Sequence, residues 1–414
     1  MKKLYLYLSL LISFVSMFFV FADTSFAAPC DVVVSLQIDN PFMEVNGQDK
    51  EVDSGRGTKP VVVDGRTLVP IRAIVESFGG EVLWDDSTKA ITLKLEDDTI
   101  TLYVNKKTAQ LNGKSKTLDV APAIINERTF LPIRFVAEGF NLGVAWIDKS
   151  KTVSIIRNGF DDEEYNYLMS VLPSYTSKSY AVINNNKPFF KDYELIESSF
   201  EYYSNLDELG RCDVCMASVG KDLMPTEKRG SISSVIPTGW INVKYDNVDG
   251  GYLYNRCHLI GFQLTGENAN KRNLITGTRY LNVDGMLPFE NIIDDYVDAT
   301  GNNVIYRVTP VFTRNNLVAD GVLLEAYSVE DNGKGITFCV FCYNVQPQIQ
   351  IDYKTGESTL SGGVINNAEK WVVYRTPSGK RYHSNAECGG KNSFAVTLQQ
   401  ALAAGLTPCA KCAK

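Results

Sequence analysis

Histidine is nearly absent from this chain. Only two histidines occur among its 414 residues, His258 and His383. Chemistry that needs an imidazole base or an imidazole metal ligand is therefore confined to two places. His258 lies in YLYNRCHLIGFQL, residues 252–264, where an arginine, a cysteine and a histidine interrupt an apolar, strand-like run. Two interpretations are open for it, a structural histidine and a histidine that acts as a base.

A surplus of positive charge is also missing. The formal net charge is −7. Because nucleic-acid coats need clustered cations, this balance argues against a general coating protein, although a local basic site remains compatible with it. The length exceeds what one hydrophobic core usually supports, so two to four domains are expected.

Long apolar runs are absent beyond the N-terminus. An apolar stretch from Leu4 to Ala22 follows two lysines, and DTSFAAPC then places small residues at a cleavage position. This pattern predicts a secretory signal peptide, residues 1–27, and hence a secreted protein, with cell-surface association also compatible. The alternative is an uncleaved membrane anchor, because the run nearly spans a bilayer.

The first part of the mature chain contains an internal repeat. VVVDGRTLVPIRAIVESFGGEVLWDDSTKAITL (61–93) returns as AIINERTFLPIRFVAEGFNLGVAWIDKSKTVSI, which pairs Pro70 with Pro132. Each unit predicts a strand, a turn, a short helix started by its proline, and a closing hairpin. Residues 28–158 resemble the domain named after the N-terminal region of copper amine oxidases. Since they include no histidine and no set of copper ligands, we interpret them as an adhesion, stalk or cell-wall module that binds a surface ligand.

The rest of the chain predicts three further parts. Residues 160–355 alternate strand-like runs such as GWINVKY with helix-like runs such as FENIIDDYVDAT, which is typical of an α+β domain. Residues 356–369 are rich in Gly, Ser and Asn and predict a linker. Residues 370–414 remain as a small terminal module. The fold class is therefore predicted as α+β and multidomain.

The polar residues around His258 suit phosphodiester hydrolysis. Arg256 and His258 are two positions apart, so on a strand they share a face. Asn273, Asn282 and Glu290 follow them. A neutral histidine can accept a proton from water, arginine can neutralise charge on phosphate, and an amide oxygen is a hard ligand for Mg²⁺. Spacing alone leaves the structural interpretation of the histidine open.

A longer pattern gives this region a family resemblance. The sequence DLMPTEKRGSISSVIPTGWINVKYDNVDGGYLYNRCHLIGFQLTGENANKRNLITGTRYLNVDGMLPFE resembles the DNA/RNA non-specific endonucleases with a ββα-metal core. Within that family it is similar to the secreted and DNA-entry nucleases of Gram-positive bacteria. The resemblance implies a secreted, sugar-non-specific endonuclease that hydrolyses DNA and RNA with one catalytic Mg²⁺.

The resemblance also implies roles for single residues. It makes His258 the general base, Arg256 the catalytic arginine, Asn282 the Mg²⁺ ligand and Asn273 a second asparagine that supports the site. Glu290 falls where some members place an acidic group near the metal waters.

The match departs from the family signature at two positions. The family reads Asp-Arg-Gly-His where this sequence reads Asn255-Arg256-Cys257-His258. The base and the metal ligand are intact. The departures put in doubt the orientation that the family aspartate gives to its neighbours.

Two pairs of cations lie near the motif. They are Lys228 with Arg229, and Lys271 with Arg272. Because the domain is acidic overall, substrate binding is expected to use such local cations. A solvated surface is the equally weighted alternative for each pair.

Nine cysteines include three C-x-x-C patterns. Cys339 and Cys342 lie in a predicted strand, where residues three apart point to opposite faces, so a bridge between them is not expected. Cys212 and Cys215 are compatible with a mutual bridge, with other partners or with free thiols.

The terminal pattern predicts a metal site. A closed tetrahedral Zn²⁺ site fits the four residues His383, Cys388, Cys409 and Cys412. A module this small has little hydrophobic core, so it needs a metal ion or another cross-link for stability. The segment resembles small Ada-like zinc-binding modules, and its cations suggest contact with nucleic acid. Disulfide bonding is the alternative, which would leave His383 without a role.

Two other functions compete with the endonuclease. One is a surface adhesin or nucleic-acid-binding protein whose nuclease domain is inactive, which the residues at 255 and 257 favour. The other is a secreted thiol oxidoreductase, against which the expected strand geometry of the cysteines argues.

Overall fold

The computed structural model describes residues 31–160, 162–361, 372–377, 379–397, 401 and 406–412. The predicted signal peptide, residues 1–27, lies outside these residues. Within the described ranges, no helix combines the length and apolarity that a membrane crossing requires.

The N-terminal domain, residues 31–157, consists of three antiparallel sheets and two short helices. Its elements are β1 (Val32–Gln37), β2 (Phe42–Val45), β3 (Gln48–Glu51), β4 (Val61–Val63), β5 (Arg66–Pro70), α1 (Arg72–Ser77), β6 (Glu81–Asp85), β7 (Ala90–Leu95), β8 (Asp98–Tyr103), β9 (Thr108–Leu111), β10 (Lys114–Thr117), β11 (Ala123–Ile125), β12 (Arg128–Pro132), α2 (Ile133–Gly139), β13 (Gly143–Ile147) and β14 (Thr152–Arg157).

The sequence repeat is a repeat of the fold. The hairpins β6–β7 and β13–β14 each begin a five-stranded sheet, with the orders β6-β7-β8-β9-β10 and β13-β14-β1-β2-β3. The third sheet, β11-β12-β5-β4, joins the two repeats through the pairing of β5 with β12. Because β1 pairs with β14, the strand before the first repeat completes the second one. An extended apolar core lies between the sheets. A smaller cluster around Leu68, Val120 and Phe130 lies on the third sheet.

The repeated prolines end the strands that precede the helices, whereas the sequence predicts that they start the helices. Pro70 and Pro132 are the last residues of β5 and β12, and α1 and α2 begin just after them. Pro132 is extended, with φ −68° and ψ 106°, and serves as the helix N-cap. The fixed φ of proline suits both the end of a strand and the entry to a helix, which the sequence pattern does not separate.

The central domain is an α+β unit built around a six-stranded antiparallel sheet, β15-β22-β21-β20-β17-β16. It also contains 3₁₀ turns at Asn184–Asn186 and Asp192–Glu194 and a π-helical turn at Leu281–Met286. Its other elements are α3 (Asp162–Val171), β15 (Tyr180–Val182), β16 (Phe200–Tyr203), β17 (Cys215–Val219), β18 (Tyr254–His258), α4 (Phe262–Thr265), β19 (Leu274–Thr278), α5 (Leu287–Thr300), β20 (Val304–Val311), β21 (Gly321–Ser328), β22 (Thr337–Tyr343), β23 (Ile349–Ile351) and β24 (Ser358–Leu360).

Apolar side chains cover both faces of this sheet. One cluster joins it to β18 and α5 and contains Cys342, whereas another joins it to α3 and contains Cys339. The two cysteines of β22 thus point to opposite faces, as the strand period predicts. All eight described cysteines are free thiols.

The first residues of the predicted linker, which begins at residue 356, belong to the central domain. Residues 358–360 form β24, which pairs with β23 through Ile349 and Leu360. Tyr254 Oη donates to the carbonyl of Gly356 at 3.0 Å, so this segment packs on the central domain. The rest of the predicted linker, residues 362–369, lies outside the described residues.

The N-terminal and central domains share a hydrophobic core. Val33 and Ile156 of the former pack with Phe200, Met216 and Ile305 of the latter, and all five are nearly inaccessible to solvent. A module tethered only by a linker would not bury apolar surface in this way.

A buried arginine lies next to this shared core. Arg307 on β20 forms a bidentate ion pair with Glu325, at 2.7 and 3.1 Å, and contacts Glu194 at 3.1 Å. Its guanidinium lies between the rings of Phe160 and Phe190, 4.9 and 4.8 Å from their centroids. The two carboxylates compensate the charge, so this arginine has a structural role.

The C-terminal module consists of short elements around a small core. Three buried residues, Val373, Ala401 and Leu406, form that core among the residues described there. The elements are β25 (Val372–Arg375), β26 (Arg381–Tyr382), α6 (Ala386–Gly389), β27 (Phe394–Thr397) and β28 (Thr407–Pro408).

Candidate active site

The hairpin β18–β19 and the helix that follows it form a ββα unit. β18 and β19 pair antiparallel, with His258 opposite Leu274. The π-helical turn then leads into α5, which has a proline in its first turn and a buried, apolar inner face. A cavity of about 930 Å³ lies over this unit, and among the predicted site residues it is lined by Arg229, Arg256, His258, Asn282 and Glu290.

His258 is fixed in one tautomer at the cavity wall. Its Nε2 lies 2.8 Å from the carbonyl oxygen of Asn268, which can only accept, so Nε2 carries the proton. Nδ1 therefore holds the free lone pair, and it accepts a hydrogen bond from Arg229 Nη2 at 3.1 Å. Burial, aided by the charge of Arg229, lowers the pKa of His258 to about 4. The imidazole is therefore neutral at pH 7 and able to accept a proton.

Two arginines lie beside the histidine. Arg229, one of the predicted cations, is solvent-exposed and directs its guanidinium to His258. Arg256 is held by its Nε, which donates to the carbonyl of Val235 at 2.5 Å, and by stacking on the ring of Trp240 at 4.4 Å. Arg256 and His258 both line the cavity, as their spacing on a strand predicts. Their remaining N–H groups are suited to phosphate oxygens.

Asn282 lies in the π-helical turn and lines the same cavity as His258. Its Oδ1 accepts a hydrogen bond from the thiol of Cys257 at 3.1 Å. A thiol is a weak donor and an amide oxygen has two lone pairs, so this oxygen retains capacity for a cation. Cys257 fits here because Gly277 on the neighbouring strand has no side chain: a Cβ there would lie 2.5 Å from that of Cys257.

Glu290 is a buried carboxyl in the first turn of α5. Its Oε1 is inaccessible to solvent and has no hydrogen-bond partner among the described residues. Gly261 packs directly against it, since a Cβ at that position would lie 2.7 Å from the carboxyl. Burial raises the pKa of Glu290 to about 8. A cation in the adjoining cavity would favour the ionised form of this carboxyl and supply the partner that Oε1 lacks.

Asn273 lies behind the cavity wall and does not line it. It is buried, and its side-chain amide binds both backbone groups of Ile260, accepting from N at 2.8 Å and donating to O at 2.9 Å. The family resemblance makes Asn273 a second asparagine that supports the site. Its geometry is that of a positioning residue, because both ends of its amide hold the backbone that follows His258.

Three of the four predicted substrate cations are not at the cavity. Lys228 and Lys271 are exposed elsewhere on the surface, and Arg272 donates from Nη1 to the side-chain oxygen of Asn141 in the N-terminal domain. Only Arg229 of these pairs reaches the site. Proximity in sequence to a motif does not set where a long side chain points, which explains the difference.

Two contributors to the site carry no signal in the sequence. Asn268 acts through its backbone carbonyl, which any residue has. Arg279 lines the cavity and pairs with Asp249 at 2.8 Å, so the cavity has three arginines although the chain is acidic.

The C-terminal module gathers the four predicted zinc ligands. The ligand atoms of His383, Cys388, Cys409 and Cys412 all lie within 4.8 Å of one another. β26 and β28 are parallel neighbours, so the residues directly after them, His383 and Cys409, are adjacent. Cys388 lies on α6, and the amide of Cys412 donates to the carbonyl of Cys409 in a tight turn. This cluster could hold one metal ion.

Two known protein families match parts of the N-terminal and central domains. Residues 45–155 match the family model for the copper amine oxidase N-terminal domain. Residues 192–330 match the model for DNA/RNA non-specific endonuclease. Over these residues the central domain is similar to the DNA/RNA non-specific endonuclease family, and this match supports a nuclease function.

Solved structures similar to this chain include two nucleases. NucA from Streptococcus agalactiae with bound magnesium is 24% identical with a TM-score of 0.42, over 49% of this chain and 97% of that one. Sda1 nuclease with bound zinc is 25% identical with a TM-score of 0.38, over 45% of this chain and 97% of that one.

A curated relative matches part of this chain. A protein from Brevibacillus choshinensis named "Protease inhibitor" is 30% identical over 115 residues, which are 27% of this chain and 33% of the relative. The chain thus spans about a third of the length of that protein.

Proposed function

We propose that this protein is a secreted endonuclease that hydrolyses phosphodiester bonds of DNA and RNA, with His258 as the general base and Mg²⁺ as the catalytic metal. One observation carries the proposal. A neutral imidazole of fixed tautomer, two arginines and an amide oxygen face the same cavity. These are the groups that water activation, phosphate binding and cation binding require.

In this proposal His258 takes the proton of the attacking water at Nδ1. The carbonyl of Asn268 keeps the other ring nitrogen protonated and, as the imidazolium forms, stabilises its positive charge. Arg229 occupies Nδ1 in the free protein. On substrate binding its guanidinium transfers to a phosphate oxygen, which frees the lone pair for the water.

Arg256 binds the phosphate in this proposal. Trp240 and the carbonyl of Val235 hold the guanidinium by its face and its Nε, so its terminal nitrogens are presented in a fixed direction. Such a preorganised cation stabilises charge as it develops on the phosphate.

The donor set at Asn282 and Glu290 fits Mg²⁺. Oxygen ligands suit this ion, and the orphaned Oε1 of Glu290 gains a partner when a hydrated cation binds nearby. When bound by Asn282 Oδ1, Mg²⁺ would supply positive charge beside the phosphate and the leaving oxygen. Cys257 orients that amide from behind.

Digestion of plasmid DNA and of RNA by the purified protein tests the proposed function. Cleavage of both is expected with Mg²⁺ and none with EDTA. Products with internal cuts would show endonuclease action. A protein that binds both substrates but cleaves neither would instead support the inactive, nucleic-acid-binding alternative.

Replacement of Asn282 by alanine is expected to lower cleavage at limiting Mg²⁺ by about 100-fold or more, because an amide oxygen is lost from the cation site. The measurement is the Mg²⁺ dependence of the rate. Asn291→Ala is the matched control, since Asn291 is exposed on α5 and does not line the cavity. An unchanged Mg²⁺ dependence in Asn282→Ala would remove Asn282 as the ligand.

Secretion and surface association remain part of the proposal. The signal-peptide pattern in residues 1–27 supports export. A cell-wall or surface ligand of the N-terminal domain stays a prediction. We further propose Zn²⁺ as the structural metal of the C-terminal cluster, because three thiolates and one imidazole form a closed tetrahedral set.

A further inference from the structure

At one position that faces the central domain, the first repeat has a glycine, Gly79, and the second has an asparagine, Asn141. The backbone just after α1 and after α2 is left-handed, with φ of +80° at Gly79 and +55° at Asn141. Both residues close the helix in the same way, by donating to the carbonyls of Glu76 and Glu138. Glycine is the residue with the least strain there, and asparagine is among the few others that adopt this conformation. The second repeat therefore carries a side chain where the backbone requires none.

That side chain reaches across to the central domain. Asn141 Nδ2 donates to the carbonyl of Tyr203 at 2.5 Å, and its Oδ1 accepts from the guanidinium of Arg272. Both partners belong to the central domain, so one amide binds two of its segments at once. The buried apolar contacts between the domains lie nearby in the structure, because Tyr203 ends β16, which packs against β13.

The segment held by Asn141 leads directly to the active site. Arg272 precedes Asn273, whose amide clamps the backbone of Ile260 and whose carbonyl accepts from Leu259 N at 2.9 Å. Leu259 and Ile260 are the two residues after His258. The next residue is Gly261, which packs against the carboxyl of Glu290.

The opposite side of the same segment is held by sulfur contacts. Cys212 Sγ lies 3.4 Å from the carbonyl oxygen of Lys271, and Cys215 Sγ lies 3.4 Å from that of Arg272. Thiol donors are weak, so these contacts fix the loop less strongly than the amide of Asn141 does.

We infer that the N-terminal domain is a positioning element of the active site and acts through Asn141. By holding Arg272, Asn141 fixes the loop 270–273, and through Asn273 it fixes the backbone that follows the general base. The inference rests on the proposed nuclease function for its kinetic consequence. Its structural part, the ordering of the loop by a residue of another domain, stands separately.

Asn141→Gly in the full chain is the direct test. Glycine keeps the left-handed backbone and removes only the side chain, so the variant is expected to fold. We expect kcat to fall by about 3- to 30-fold, in line with couplings carried by contact chains, and KM to change little because Arg272 does not line the cavity. Backbone amides of residues 270–274 should exchange hydrogen faster, while those of β20 and β21 should not.

Two further variants separate positioning from general stability. Asn126→Gly is the matched control, because Asn126 also has a positive φ of 49° in the N-terminal domain and its side chain is exposed. It should leave kcat and loop exchange unchanged. Asn141→Asp keeps an oxygen acceptor for Arg272 and should restore most of kcat, which a loss of fold would not allow.

Wild-type kcat together with wild-type exchange of the loop in Asn141→Gly would overturn the inference. An equal effect of Asn126→Gly would overturn it too, because the change would then be one of general stability. If the wild-type protein cleaves nothing, the proposed function fails, and loop exchange still decides whether Asn141 orders residues 270–274.

Discussion

Replacement of His258 by alanine is expected to lower kcat by at least about 10²–10⁴-fold, which is the usual range for loss of a general base. The expectation depends on geometry more than on the residue type. Because Nε2 donates to the carbonyl of Asn268, the lone pair of Nδ1 points into the cavity, where Arg229 contacts it at 3.1 Å. The measurement is steady-state cleavage of a short duplex, with circular dichroism to show that the fold is retained.

The pH profile of the wild-type protein tests the same assignment. Burial lowers the pKa of His258 to about 4, so the base is neutral throughout the range from pH 6 to 8. Its contribution to kcat/KM should be constant there and should decline only as the pH falls towards 4, where the imidazole becomes protonated. An acid limb centred on the ordinary histidine pKa near 6.5 would contradict the buried environment of this base.

The chain supplies its own control for this substitution. His383 is the second of only two histidines and lies in the C-terminal cluster. His383→Ala should leave cleavage of a short duplex nearly unchanged. Added imidazole should partly restore His258→Ala, because the deletion leaves space in a cavity of about 930 Å³. Near-full activity of His258→Ala without imidazole would show that another group activates the water.

The site residues within the ββα unit were predictable because their spacing is local. His258 and Arg256 share a strand, and Asn282 and Glu290 lie on two adjoining turns of one helical segment. The sequence pattern therefore carries most of the relative geometry. The interpretation of Asn273 was less complete, since its role depends on which backbone groups its amide meets across the hairpin.

Long-range contacts were the part that sequence did not predict. Arg272 appeared to be a substrate cation because it adjoins the motif, yet its partner is Asn141, 131 positions away. The fit of Cys257 depends on Gly277 across the hairpin, a pair that no local pattern connects. In both cases the deciding contact is set by tertiary packing, which a linear reading of residue types does not encode.

The shared core changes the interpretation of the N-terminal domain. A cell-wall module or stalk needs no contact with a catalytic domain, and the surface ligand of this domain remains a prediction. Burial of Val33 and Ile156 against β16, β17 and β20 makes the two domains one packed body.

Removal of zinc is expected to unfold the C-terminal module. Its described core contains only Val373, Ala401 and Leu406, too little apolar surface to offset the entropy of ordering the chain. Structural zinc contributes about 10–16 kcal/mol of folding free energy in comparable small modules. Elemental analysis should find one zinc per chain, and Cys412→Ser should lose it, because one of four ligands is removed. Proteolysis should then cut the module first.

Lys411→Ala is the matched control, since Lys411 lies between two ligands in the same turn and is exposed. It should keep the zinc. Cleavage of a short duplex should continue in Cys412→Ser, because a closed four-ligand site has no open position for phosphodiester chemistry.

Thiol counting under denaturing conditions decides between zinc and disulfides. If the site holds zinc, chelation alone should expose its three thiols and its imidazole. Cys388, Cys409 and Cys412 should then alkylate without a reductant. A protein without zinc, whose C-terminal cysteines alkylate only after reduction, would contradict the metal site. The three-cysteine cluster itself favours the first result: pairing two of these thiols leaves the third and His383 unpartnered within 4.8 Å, whereas one tetrahedral ion uses all four ligand atoms.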